Sequence, residues 1–167
     1  MKNDELKHIP DSSRVWIFAS PQKINEGIRD EILDYIDVFL GRWKAHGKEL
    51  KSHKLFVDGH FLIIAVDESF EKATGCSIDS LNHFIFEIEK KYKLDLTDRS
   101  KVYFRSKNGI SSIAFLKIKE LIHSAEIDED TLIYNNSIAK GDELKNKWLL
   151  RAEESWLTKY FQKTPLK

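Results

Sequence analysis

The stretch HFLIIAV at 60–66 constrains this chain more than any other, because Phe61 to Val66 are apolar without a break. A strand that is apolar at every position has no face to give to water, so it predicts a sheet covered on both sides. The run is far too short to cross a bilayer, which takes about 20 apolar residues. KLFV at 54–57 precedes it, with Asp58-Gly59 between the two. An Asp-Gly link between apolar runs predicts a β-hairpin, since Gly takes positive φ without steric cost.

The other elements follow from periodicity. RVWIFAS at 14–20 predicts a strand ended by Ser20-Pro21. Ile28, Ile32, Ile36, Phe39, Leu40 and Trp43 recur at helical spacing and predict a helix over about 25–43. Ile78, Leu81, Ile85, Ile88 and Tyr92 predict a second helix over 77–92, with Ser77 as its cap. KVYFRS at 101–106 predicts a strand, and Asn108-Gly109 a turn. Ala114, Ile118, Leu121 and Ile122 share one helical face and predict a third helix over 112–124; a strand over 110–116 is the alternative. TLIYN at 131–135 predicts a fifth strand, and 141–162 a helix broken near Glu154-Ser155.

These elements define an α+β class. The expected sheet is mixed or antiparallel, with about five strands. It opens in a βαββαβ order compatible with a ferredoxin-like sheet of spatial order 4-1-3-2, followed by extra C-terminal α-β-α elements. In that order the first and third strands are central, and VWIFA and FLIIAV are the most continuously apolar strands present. Residues 1–13 are polar and read as a flexible tail, and 14–167 as a single domain.

Lys+Arg and Asp+Glu both count 27, so the formal net charge is zero. Zero net charge argues against a broad basic surface, and neither KVYFRS nor HFLIIAV has the aromatic and basic pattern of an RNA-reading strand. Nucleic acid is therefore not an expected partner. The polar start has no signal-peptide apolar region, and no segment predicts membrane insertion. The single cysteine, Cys76, excludes an internal disulfide and fits a reducing, cytoplasmic setting.

The segment DESFEKATGCSID at 67–79 holds most of the candidate chemistry. Asp79 and His83 are four residues apart on the helix side opposite the apolar stripe, and a backward extension brings Cys76 there too. A thiol beside a helix N-terminus is drawn toward thiolate, and an imidazole beside it can act as base. Cys76, His83 and Asp79 thus form a candidate catalytic set. The plainer reading is a solvated face, since Glu87 and Lys90 continue it. Asp67 and Glu68 leave the third strand where, in the 4-1-3-2 order, Arg14 and Arg105 end as well. Those four residues form a candidate polar-ligand site or a salt-bridged strand end. Gly75 and Ser77 open onto helix amides able to receive an anion.

No metal or other cofactor is expected. His46, His53 and His60 recur every seven residues, but Gly47 and Gly59 keep them off one helix, and CxxC and HExxH are absent. GxxxxGK[ST] is absent too.

RVWIF at 14–18, AVDES at 65–69, GCSID at 75–79 and the W-x-x-x-A-x-x-SW pattern of Trp148, Ala152 and Ser155-Trp156 together resemble a family of small, uncharacterised bacterial proteins. Its members often carry the label "ABC transporter ATPase". An ATPase of that kind needs a Walker-A cradle and an LSGGQ-type signature, and this chain has neither. The resemblance therefore carries no catalytic residues over. The leading expectation is a domain that binds a small ligand or a protein partner around residues 67–79. The alternative is a Cys76-dependent acyl-transfer or hydrolytic enzyme assisted by His83. A third expectation is phosphate or nucleotide binding at 75–77. No motif specifies the ligand, the partner or an oligomeric state.

Overall fold

The computed structural model describes residues 4–161 and is a mixed α+β protein with antiparallel sheets. In chain order its elements are β1 (Ser13–Ala19), α1 (Glu26–Leu40), β2 (Lys44–Ala45), β3 (Lys48–Glu49), β4 (Ser52–Val57), β5 (Phe61–Asp67) and α2 (Gly75–Tyr92). There follow β6 (Lys101–Ser106), β7 (Gly109–Ala114), α3 (Ile118–His123), β8 (Leu132–Tyr134), α4 (Gly141–Lys147), β9 (Leu149–Arg151) and α5 (Thr158–Phe161). The chain divides into two compact units. One runs to Asp98 and includes Asn136–Asn146; the other comprises Arg99–Asn135 and the chain from Lys147 onward. No helix among the described residues is long and apolar enough to cross a membrane.

In the first unit β5 lies between β1 and β4, paired antiparallel to both. All seven of its residues are buried, as its unbroken apolar run predicts. Leu62, Ile64 and Val66 pack with Phe18 of β1, Ile32 and Ile36 of α1, and Leu81, Ile85 and Ile88 of α2. Phe61, Ile63 and Ala65 alternate onto the other face and are equally inaccessible. Asp58 and Gly59 both take positive φ, as the hairpin requires. The link is one residue longer than the Asp-Gly pair: His60 N–H donates to Val57 O at 3.1 Å, and pairing resumes at Phe61. His60 is buried, and its Nδ1 donates to Ser20 O at 2.9 Å, which ties the hairpin to the end of β1.

Several expectations change. The strand at 101–106 does not complete a 4-1-3-2 sheet. It is β6 of a second sheet, ordered β7-β6-β8-β9, because the Asn108-Gly109 turn folds 109–114 back on it as a strand. The predicted helix at 112–124 is therefore strand β7, a short 3-10 turn and α3, so the strand alternative holds over 109–114. The predicted helix at 141–162 breaks into α4, β9, a 3-10 turn and α5, because Leu149–Arg151 pairs with β8; residue 162 lies outside the described residues. Val102, Phe104, Ile118, Ile127, Ile133, Ala152 and Leu157 form the core of this second unit. α1 stops at Leu40, which leaves Trp43 beyond the helix but still buried. The segment read as a tail forms a 3-10 turn at Asp4–His8 with Leu6 buried, and Ile9 beyond it is buried too.

Beside β1, Val15 N–H donates to Ala139 O at 2.9 Å, and Arg14 bridges Lys140. This approach continues into α4, where a Cβ on Gly141 would run into the Pro10 carbonyl. Gly141→Ala is expected to lower stability by about 1–3 kcal/mol in urea denaturation, as an overpacked backbone contact does. Gly75→Ala, with open space around its site, is expected to cost nothing or to stabilise slightly through helix propensity.

Candidate functional site

The polar end of β5 organises the region. Asp67 closes an apolar strand and is only 4% exposed. A buried carboxylate survives ionised only when donors replace its water. Its Oδ1 accepts from Ser69 Oγ at 2.7 Å, Ser12 Oγ at 2.8 Å and Ser69 N–H at 3.1 Å. Lys51 Nζ stands 3.7 Å from Oδ2. The Ser69 and Ser12 hydroxyls foremost hold the acid down at about 2, against burial, which pushes it up. Asp67 thus pins the segment before β1 and the loop after β5, and its oxygens are already engaged.

The loop then runs into α2. Glu68 is half-buried, and its Oε1 accepts from Ala73 N–H at 3.3 Å. The helix cap is Thr74 rather than Ser77. Thr74 Oγ1 accepts from Ser77 N–H, while Ser77 Oγ accepts from Thr74 N–H at 2.8 Å, a reciprocal capping box with serine in the third position. Ser77 Oγ also donates to Thr74 O at 2.9 Å. The Ser77 carbonyl accepts from Trp43 Nε1 at 2.8 Å, Trp43 meets Trp16 edge-on at 5.9 Å, and Arg14 sits 5.4 Å from the Trp16 ring centre. The helix start, the aromatic pair and Arg14 therefore form one connected set.

Arg14 and Glu68 line an open depression of about 730 Å³ together with Asp11, Ser13, Lys140 and Asp142. Asp11 is paired with Lys145 at 2.6 Å. Arg14 and Lys140 have no carboxylate within ion-pair reach among the described residues. Ser13 is 1% exposed, and its hydroxyl has no hydrogen-bond partner among the described residues. An unsatisfied buried hydroxyl costs about 1–3 kcal/mol.

The predicted residues separate into three groups. Arg14, Asp67 and Glu68 come together at this strand end. Arg105 does not join them: it lies on β6 of the second unit, where its Nε donates to Tyr134 Oη at 3.0 Å. Its assignment to the same sheet end followed from the 4-1-3-2 order, which fails with that order. Cys76, Asp79, His83 and Gly75 are exposed, and no hydrogen bond joins Cys76, Asp79 and His83. Among the described residues no group of three His, Cys, Asp or Glu side chains is placed to hold a metal ion. Asp11, Ser12, Ser13, Lys140 and Asp142 escaped sequence reasoning. The one local signal was the Ser12-Ser13 pair set immediately before an apolar strand; Lys140 and Asp142 arrive from more than a hundred residues away.

Compared with known proteins, the chain matches no family model, no curated protein and no solved structure.

Asp67 sets an acid limit on stability. Its folded value lies below the ordinary aspartate value of about 3.8, so its contribution is complete above about 3.8 and is lost as pH falls toward about 2. The urea midpoint of the wild type is expected to fall across that window, and Asp67→Asn to flatten the slope; parallel pH profiles would contradict this role. Cys76, being exposed, is expected to react with a disulfide reagent such as DTNB in native buffer. A thiol released only by denaturant would contradict its placement.

Proposed function

We propose that this chain is a binding protein for a small polar ligand seated in the depression at the end of β1 and β5. The observation that carries the reading is charge without an internal partner in a concave place. Arg14 and Lys140 line the depression, and neither has a carboxylate within ion-pair reach among the described residues. They stand beside Glu68 and Asp142, so the depression offers charges of both signs to a polar molecule that enters it. A volume of about 730 Å³ falls in the usual range for small-molecule sites. The Asp67 cluster supports the reading, because it fixes the segments that present Arg14 and Glu68. A site built on tied segments holds its geometry before the ligand arrives.

Thiol chemistry at Cys76 has no comparable support. Cys76, His83 and Asp79 stand in solvent with no hydrogen bond among them. At the helix start, the Ser77 hydroxyl and two amides, those of Thr74 and Ser77, are already used in the capping box.

Thermal-shift screening of the full chain against carboxylates, amines, amino acids and phosphates tests the reading. At a hundredfold excess over Kd, a ligand of the folded state adds about 2.7 kcal/mol. At least one class is expected to raise Tm, and Arg14→Gln to remove the shift. If no class shifts the wild type, or if Arg14→Gln leaves the shift intact, the depression is not the site.

A further inference from the structure

We infer that the depression takes a small zwitterion, a molecule of the amino-acid or dipeptide class with one carboxylate and one ammonium. The inference rests on the binding reading above and names its ligand chemistry. It follows from sorting the lining groups by what they already hold. Asp11 is neutralised by Lys145 at 2.6 Å. The Ser12 hydroxyl donates to Asp67. Glu68 uses Oε1 on the Ala73 amide and keeps Oε2. The Asp142 carboxylate, the Lys140 ammonium and the Arg14 guanidinium have no hydrogen-bond or ion-pair partner among the described residues.

The open groups are therefore a guanidinium and an ammonium against two carboxylates. Charges of both signs in one depression select against ions of a single sign. A dianion would meet Glu68 and Asp142, and a dication would meet Arg14 and Lys140, and each like-charge encounter weakens binding. A zwitterion meets all four with complementary charge and adds no net charge to the site. Arg14 suits the carboxylate, because its planar fork gives two parallel hydrogen bonds and the Trp16 ring, 5.4 Å away, backs it. Ser13, buried beside Arg14 with its hydroxyl unpaired among the described residues, offers one further donor on rotation of a single side-chain bond.

The test uses the full chain with glycine, L-alanine and L-alanyl-L-alanine, each beside its N-acetylated and its carboxamide derivative. Acetate, methylammonium and inorganic phosphate complete the set. Calorimetry and thermal shift are both read. At least one zwitterion is expected to bind, and both of its blocked forms to bind at least about tenfold more weakly, because each loses a charge-assisted contact. Arg14→Gln is expected to weaken the zwitterion by a similar factor and to leave the carboxamide form nearly unaffected. A circular dichroism spectrum and unfolding midpoint matching wild type separate loss of binding from loss of fold; if Arg14→Gln is misfolded, Lys140→Gln takes its place. An N-acetylated form that binds as well as its parent overturns the zwitterion and leaves the binding reading standing. So does binding of acetate, phosphate or methylammonium alone. No response to any probe overturns both.

Discussion

β5 has hydrogen-bonded neighbours on both edges and no accessible side chain on either face. A half-buried strand takes its register from polarity, since a slip of one residue exposes its apolar set. β5 has no such signal, because a slip would exchange one apolar face for another. Its register must be set at its ends. At one end Asp58 and Gly59 turn with positive φ, and buried His60 donates to Ser20 O. At the other end Asp67 places a charge where hydroxyls are waiting. A slip would push that charge along the strand into apolar surroundings or pull it off its donors, and either is costly.

The polar site follows from the same constraint. A carboxylate at the mouth of an apolar layer has to recruit donors from whatever chain lies nearby. The donors are Ser12, ahead of β1, and Ser69, in the loop after β5. Holding Ser12 in place means ordering the chain before β1, and Leu6 and Ile9 there are buried. On the neighbouring side, the Val15 bond to Ala139 brings in Lys140 and Asp142. The depression is thus lined by three separate segments, one of which Asp67 holds through Ser12.

The legible parts of the fold were those set by adjacent residues. Asp58-Gly59 announced the hairpin, and the stripe from Leu81 to Ile88 announced α2 and the face it buries. Thr74 was missed as a cap because Gly75 stands immediately after it and glycine is a poor helix former. The T-x-x-S spacing carried the signal, with serine where glutamate is usual. Over 109–114, Ile110 and Ile113 are three apart, which fits a helix as well as a strand. Pairing with β6 decided between them, and pairing is not written in either segment alone. The failure of the 4-1-3-2 order had a direct effect on the site: Arg105 left it, and Lys140 and Asp142 entered it.

The depression joins chain regions that are distant in sequence: 11–14, 68 and 139–142. They are joined by the β1–β5 pairing, by the Arg14–Lys140 bridge, and by the bonds of Ser12 to Asp67, Lys145 to Asp11 and Val15 to Ala139. A ligand that contacts Arg14, Glu68 and Asp142 together adds a further tether to the same junction. Its binding energy would then act on the stability of the whole first unit as well as on the site, since opening the junction would require releasing it. By contrast, a molecule on the Cys76 face would touch a single helix that is already capped and packed through its other side. Under the proposed binding, recognition at the strand end would draw on contacts that also hold the unit together there.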